Sequence, residues 1–305
     1  MSKVGIVTVT YNSKSVLADF VRCLKAQNHQ DFILCVIDNC SSDGSADFIE
    51  GLCQTEAVPC RILRNEANLG IACGNNQGIR LALAEGCDPI LIANNDIEFA
   101  PDTLSRILAL GAERPDDLLL PKVVFHAEPG LIWCAGGHIS RIRGVPRTAG
   151  YRKQDGPAYA KAGYTRYAPT CFLSVPAKVF SDIGLMDEDY FVYLDDSDFV
   201  VRALGAGYRI YYTPEPRIDH KVSVSTGGAD SPFTIFQISK NTLLFLRKNN
   251  PMPLAAWYIL VFLIRSGLRL FRYGREQRAK LFEGLRDGLA FVFKRSKPLR
   301  NIPAL

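Results

Sequence analysis

The chain opens on an apolar run, Val4 to Val9, that breaks at Thr10-Tyr11-Asn12-Ser13, after which Val16, Phe20, Val21 and Leu24 recur at helical spacing. The pattern predicts strand, turn and helix, with Ser13 or Ser15 available as a helix cap. A second strand, Ile33 to Ile37, runs into the turn-rich cluster Asp38-Asn39-Cys40-Ser41-Ser42-Asp43-Gly44-Ser45 and then another helix. Cys60 to Leu63 forms a third strand closed by Arg64-Asn65, and Ile90 to Ala93 a fourth that stops at Asn94-Asn95-Asp96. Short apolar strands alternating with helical stretches predict an α/β fold of Rossmann-like type, a mostly parallel, doubly wound sheet. The first turn contains no glycine, so the Gly-x-Gly-x-x-Gly loop of a dinucleotide fold is missing and an NAD or FAD enzyme is disfavoured.

Two acidic stretches stand out against this frame. Asp96 falls at a strand end, where open α/β sheets bind ligands, and a carboxylate there suits Mg²⁺ or Mn²⁺ shared with substrate phosphates. A plain turn explains the Asn-Asn-Asp triplet equally well. The second stretch, Tyr190-Phe-Val-Tyr-Leu-Asp-Asp-Ser-Asp-Phe-Val-Val-Arg202, crowds Asp195, Asp196 and Asp198 among aromatics. Burying Phe191, Tyr193 and Phe199 draws the carboxylates toward low dielectric, and like-charge neighbours raise a pKa, as a general base requires. The alternative is an acidic helix start in which Ser197 or Asp196 caps the segment from Phe199 to Leu204.

Together with Val7-Thr-Val-Thr-Tyr-Asn12, Ile37-Asp-Asn-Cys-Ser-Ser-Asp-Gly-Ser45, Asn68-Leu-Gly-Ile-Ala-Cys-Gly-Asn-Asn-Gln-Gly78 and the late His220, these stretches resemble the family 2 inverting glycosyltransferases of GT-A fold. The rhamnosyltransferase-like branch is the nearest in pattern, and the match extends from residue 4 to about residue 250. The resemblance implies that Thr10, Tyr11 and Asn12 line a nucleotide pocket and that Asp38, with Asn39 beside it, accepts the N3–H shared by uracil and thymine. Arg64, Asn68 and Gly70 would complete the base and ribose wall. Asn94 and Asn95 would lie near the ribose or a metal-bound water. Asp96 and His220 would hold a Mn²⁺ or Mg²⁺ ion bridging the donor diphosphate, and imidazole favours Mn²⁺. Asp196 would be the general base and Asp195 its orienting neighbour or an acceptor contact.

This chain departs from the family pattern twice. Asn94 stands where a carboxylate is common, which removes one formal charge from the metal site, and Asp195 replaces the glutamate of the usual Glu-Asp pair. The implied reaction is a single displacement with inversion, moving a sugar from a pyrimidine nucleoside diphosphate to a hydroxyl of a surface-polysaccharide or lipopolysaccharide precursor. The leading donor is dTDP-rhamnose, with UDP-hexoses or UDP-N-acetylhexosamines next. A non-catalytic carbohydrate-binding or assembly protein and a sugar-1-phosphate nucleotidyltransferase are the rivals. The first would have no need of Asp96, Asp196 and His220 together, and the second needs a glycine- and arginine-rich first loop that is missing. Trp133 suits either an acceptor sugar or the core, His29, His126 and His138 lack ligand-spaced partners, and Ser140 to Tyr167 reads as a mobile basic loop over the site or a solvated surface loop.

Composition adds the setting. With 305 residues, 48% of them hydrophobic, the chain accommodates a catalytic domain over 1–250, with a nucleotide-binding half 1–98 and an acceptor-binding half 99–250, and a helical appendage over 251–305. Nine cysteines without Cys-x-x-Cys pairs fit neither a disulfide framework nor a zinc site, and suggest a reducing cytosol. No signal peptide precedes the first strand. The net charge of +5 hides an asymmetry, for residues 265–305 carry eleven Lys or Arg against three acidic residues. The apolar run Leu254 to Ile264 is shorter than the roughly 20 residues of a spanning helix. Arg265, Arg269 and Arg272 then recur on one helical face ahead of Phe291-Val-Phe-Lys-Arg295. This tail suits peripheral attachment to the anionic inner face of a bacterial plasma membrane; a hairpin packed on the catalytic domain or a homodimer interface competes, and no nucleic-acid partner is implied.

Overall fold

The computed structural model describes residues 3–222, 228 and 230–293. Strands β1 (Val4–Thr10), β2 (Phe32–Asp38), β3 (Cys60–Arg64) and β4 (Ile90–Ala93) alternate with helices α1 (Lys14–Lys25), α2 (Ser45–Thr55) and α3 (Ile71–Ala84). They pair in parallel in the order β3-β2-β1-β4; β1, β2 and β4 are buried between helices, while β3 at the sheet edge is partly exposed. This is the doubly wound half expected from the alternation.

Next come β5 (Ile97–Phe99), α4 (Thr103–Glu113), β6 (Asp117–Phe125), β7 (Ile132–Cys134), β8 (Gly137–Ile139), β9 (Pro146–Thr148), β10 (Gly163–Thr165), β11 (Phe172–Val175) and α5 (Ala177–Ile183). Helix α6 (Asp195–Gly205) and the long β12 (Arg209–His220) complete the sheet, whose order is β10-β12-β6-β11-β4-β1-β2-β3. Strand β11 enters antiparallel to β4, while β6 and β12 are parallel to each other. The stretch from Ser140 to Tyr167, expected as a mobile or solvated loop, instead carries β9 and β10, and β10 is hydrogen-bonded to β12 at the sheet edge.

Three helices close the described chain: α7 (Pro232–Lys248), α8 (Met252–Arg269) and α9 (Arg275–Phe293). Helix α9 packs along α7, burying Leu281 and seating Gly284 and Gly288 against the α7 backbone. A second apolar cluster joins Tyr190 and Val201 to Leu244, Phe245, Leu246 and Tyr258, so α8 is packed onto α6 and α7. The sequence pattern underestimated α8. Its 18 residues make it, by length and composition, a helix long and apolar enough to cross a membrane. The expected triad of tail arginines also divides, because α8 ends at Arg269 and Arg272 follows in the turn beyond. Lys294 and Arg295 lie outside the described residues.

Candidate active site

The site is assembled at the carboxyl ends of β1, β2 and β4, where the parallel strands release their chains toward one edge of the sheet. Thr10 at the end of β1 lies in register beside Asp38 at the end of β2, which in turn lies beside Arg64 at the end of β3. Asp38 is buried; its Oδ2 accepts the Ser41 amide at 3.0 Å, and its Oδ1 has no hydrogen-bond partner among the described residues. A buried carboxylate oxygen without a donor is costly unless a ligand supplies one. Asn12, at φ 49°, accepts the Ser42 amide at 2.8 Å through its side chain and so pins the two strand-end turns together. Tyr11 is exposed beside them.

Asn39 donates to the Gly70 carbonyl at 3.0 Å, and Asn68 accepts the Gly70 amide at 3.0 Å. Gly70 has φ 86°, and a Cβ there would sit 2.4 Å from the Phe191 carbonyl oxygen. Only glycine meets both demands. The next residue, Ile71, donates its amide to Phe191 at 2.6 Å, so the loop before α3 is stitched to the acidic motif 120 residues later in the chain. Farther along α3, Asn76 pairs with both backbone groups of Met186, at 2.8 and 2.9 Å. Arg64 points its guanidinium at Asp47 and Glu50 of α2, each at 2.6 Å, so it is engaged by that helix.

Of the triplet after β4, Asn94 is exposed, Asn95 is buried and donates to the Val9 carbonyl at 3.0 Å, and Asp96 faces the cleft. Ser13 begins α1 but makes no side-chain cap; its hydroxyl faces Thr10 and Asn95 instead. Asp96 Oδ1 lies 3.1 Å from His220 Nε2, and Asn94 Nδ2 lies 3.5 Å from the same nitrogen. His220 ends β12, is buried, and rests edge-on against the Trp133 ring at 4.6 Å between centroids. This contact was invisible to the sequence pattern, which left Trp133 between core and sugar.

The acidic motif is held in an unusual backbone. Tyr193 and Leu194 both have positive φ, 69° and 66°, immediately before α6 begins. Two successive left-handed non-glycine residues carry a cost of order 1–3 kcal/mol each and persist only where the surroundings fix them. Asn241 of α7 fixes them here, donating to the carbonyls of Val192 and Tyr193 at 2.8 and 3.1 Å.

The three carboxylates divide. Asp198 does not join the site: it is fully buried, paired with Arg202 at 2.9 Å and with the Asn249 amide at 2.9 Å, as an internal brace for α6. The cap position is Leu194, which has no side-chain oxygen, so Ser197 and Asp196 lie inside the first turn of α6 and not at its cap. Asp195 and Asp196 line the cleft. Burial, then the charge of Asp196, raises the Asp195 carboxyl well above the usual carboxylate range. Asp196 is also raised by burial, but its Oδ1 accepts the Ser197 amide at 2.6 Å and the Ser197 hydroxyl at 2.9 Å, which favours its charged form. The Tyr167 hydroxyl lies 3.5 Å from the other oxygen, and burial followed by Asp196 pushes that phenol up. The pair therefore shares its protons unequally, with the proton preferring Asp195 and the charge Asp196.

A cleft of about 630 Å³ unites these groups. Asn94, Asn95, Asp96, Asp195, Asp196 and His220 line it together with Trp133 and Tyr167. The remaining expected residues, from Thr10 to Gly70, gather beside it; Val9 and Ile71, their chain neighbours, form its wall. Arg143, Arg265 and Arg269 also line it, and nothing in the one-dimensional pattern brought the first to the other two.

A divalent ion fits the donor set. Adjacent ligands on an octahedral ion with bonds of about 2.1 Å lie about 3 Å apart, the separation of Asp96 Oδ1 and His220 Nε2. Among the described residues, no group of three or more His, Cys, Asp or Glu side chains gathers to hold a metal alone. The remaining positions would then be filled by water and substrate oxygens, as Mg²⁺ and Mn²⁺ sites commonly are. The nine cysteines are free, and Cys134 beside the cleft is pushed up to about 12 by burial, an inert thiol.

Residues 5–166 match the model of glycosyl transferase family 2, and the chain belongs to that family. It is 25% identical over 312 residues to the N-acetylglucosaminyl-diphospho-decaprenol L-rhamnosyltransferase of Mycobacterium tuberculosis, covering 92% of this chain and 97% of that one. It is 24% identical over 279 residues to the dTDP-rhamnosyl transferase RfbF of Shigella flexneri, covering 88% of each. Among solved structures it resembles S. aureus TarS 1-349 in complex with UDP, with TM-score 0.61, 15% identity and coverage of 96% of this chain and 82% of that one. The mannosyltransferase PcManGT of Pyrobaculum calidifontis, in complex with GDP-Man and Mn²⁺, superposes with TM-score 0.59 at 15% identity, over 97% of this chain and 88% of that one. The fold is GT-A, and the chain is a glycosyltransferase.

Proposed function

We propose that the protein is an inverting, divalent-metal-dependent rhamnosyltransferase that moves L-rhamnose from dTDP-rhamnose to a hydroxyl of a lipid-linked surface-polysaccharide precursor. The observation that carries the reading is the convergence of two acidic sites on one cleft, Asp96 with His220 and Asp195 with Asp196. The first pair suits a diphosphate-bound ion, the second a base. The two rhamnosyltransferase relatives, each aligned over most of its length, support the donor, and the acceptor named for the mycobacterial relative supports a lipid diphosphate carrier.

In this reading Asp38 accepts the pyrimidine N3–H through its unpaired Oδ1, which selects uracil or thymine over purines. Asn39, Asn68 and Gly70 shape the wall beside it. Asp96 and His220 would hold Mn²⁺ or Mg²⁺, which supplies positive charge to the departing nucleoside diphosphate. Asp196 Oδ2 takes the proton of the acceptor hydroxyl as its oxygen attacks the anomeric carbon. Protonated Asp195 leaves that charge undivided and offers an O–H to the acceptor. Trp133 holds His220 edge-on, and Tyr167 orients Asp196.

Transfer and donor hydrolysis measured across dTDP-rhamnose, UDP-glucose and UDP-N-acetylglucosamine, with Mn²⁺ or EDTA, test the proposal. Turnover of dTDP-rhamnose that EDTA abolishes is expected. Full activity in EDTA would remove the metal, and preference for a UDP-sugar would remove the rhamnosyl assignment.

A further inference from the structure

We infer that Arg143, Arg265 and Arg269 form a subsite for the diphosphate of an isoprenoid-linked acceptor, with the exposed apolar stripe of α8 taking the start of its lipid chain. The inference deepens the proposed function and rests on it for the presence of an acceptor at this cleft. The three arginines line the same cleft as Asp196, one from the turn after β8 and two from α8.

The three share one electrostatic neighbourhood, without a carboxylate at ion-pair distance among the described residues. Arg143 is instead held below the usual guanidinium range, chiefly by the charge of Arg265 and then by burial and by Arg147 and Arg269. Converging cations without an acid are destabilised by mutual repulsion, and an anion placed among them removes that cost. Arg265 and Arg269 are one helical turn, about 6 Å, apart, so their forks can engage one diphosphate together.

The neighbouring face of α8 says what carries the anion. Trp257, Leu260, Ile264 and Leu268 recur at intervals of three and four residues and are exposed by 51% to 64%, and Phe271 in the turn beyond the helix is exposed by 87%. At 100° per residue this stripe lies about a third of a turn from Arg265 and Arg269. Cationic cleft and apolar ridge thus adjoin along one helix. A free phosphate or a nucleotide would use only the first; an isoprenoid diphosphate uses both.

The test titrates geranylgeranyl diphosphate into the full chain already saturated with dTDP and Mn²⁺, followed by intrinsic fluorescence or calorimetry. Binding is expected that weakens at least tenfold in Arg265→Gln/Arg269→Gln, and that geranylgeraniol and inorganic pyrophosphate each reproduce only weakly. Arg265→Lys/Arg269→Lys, which keeps the charge, should bind within a few-fold of the parent. An unchanged affinity in the Gln variant overturns the subsite, as does displacement of dTDP by the lipid, which would return the anion to the donor side. Equal affinity for pyrophosphate overturns the lipid chain. Loss of vesicle binding to phosphatidylglycerol in the Gln variant, with no response to the isoprenoid diphosphate, would make the arginines a bilayer contact and overturn the acceptor assignment. Failure of the glycosyl-transfer reading would appear separately, as no binding of dTDP or UDP, and the lipid titration repeated without nucleotide would still report on the arginines.

Discussion

Replacing Asp196 by Asn isolates the base from the rest of the site. In the folded protein Asp196 Oδ1 takes two hydrogen bonds from Ser197, at 2.6 and 2.9 Å, and Oδ2 faces the Tyr167 hydroxyl at 3.5 Å. An asparagine keeps its oxygen toward Ser197 and turns its NH₂ toward the phenol oxygen, so shape and hydrogen bonding survive while basicity is lost. Transfer should fall by roughly 10² to 10⁴, or about 3 to 5 kcal/mol of barrier, with little change in donor affinity. Asp195→Asn should behave differently, because it imitates the protonated neighbour. It should retain most of the transfer and leave the acid limb of kcat/KM near the parent's, since burial is what holds Asp196 up and the protonated neighbour carries no charge to remove. Stability carries its own sign. Both folded pKa values are raised above the unfolded value near 4, so stability is lost as pH rises from there through the raised folded values. Asp195→Asn should therefore melt higher than the parent at neutral pH and match it more closely near pH 4. Steady-state rates from pH 4 to 9, donor binding by calorimetry and melting at both pH limits are the measurements. An active Asp196→Asn beside a dead Asp195→Asn would exchange the two roles and refute the unequal proton sharing.

Three further outcomes are expected. Asp96→Ala should abolish nucleotide-dependent Mn²⁺ binding, read by electron paramagnetic resonance, while circular dichroism stays native, because the residue sits in the bend between β4 and β5 and fills no core. Gly70→Ala should cost about 2 to 5 kcal/mol in urea denaturation from left-handed strain and the clash with Phe191, and should raise the KM for donor by parting the loop from the acidic motif. Asp198→Asn should destabilise by about 3 to 5 kcal/mol by leaving Arg202 buried and unpaired, and partial recovery of transfer on cooling would mark its role as structural.

How much of this was legible in the sequence depends on the range of the interaction. Strand β4 was read to the residue, and β1, β2 and β3 to within one residue at each end, because apolar runs and turn residues are local signals. Asp96 and the Asp195-Asp196 pair were legible because strand ends and aromatic-flanked carboxylates announce themselves locally. Asp198 belongs to the same local pattern yet serves the core; only its contact with Asn249, 51 residues away, tells the two kinds apart. Trp133 on His220 and Tyr167 near Asp196 were invisible for the same reason, since the first joins strands β7 and β12 and the second joins the segment after β10 to α6.

The tail shows the limit most clearly. Periodicity placed Arg265 and Arg269 on one face of a helix, but periodicity has no sign and cannot say whether that face meets water, lipid or protein. The second cluster decides it: Tyr258 packs against Leu246 and Tyr190 and donates to the Arg141 carbonyl at 2.9 Å, which rolls α8 until its arginines face the cleft beside Arg143. The basic residues that alone suggest a membrane surface are thus turned into the cleft that Asp195 and Asp196 also line, and the apolar residues are left outside. A lipid-linked acceptor needs that arrangement. Its sugar must reach Asp196 while its chain stays out of water, and a helix with cations on one side and an apolar ridge about a third of a turn away satisfies both along a single element.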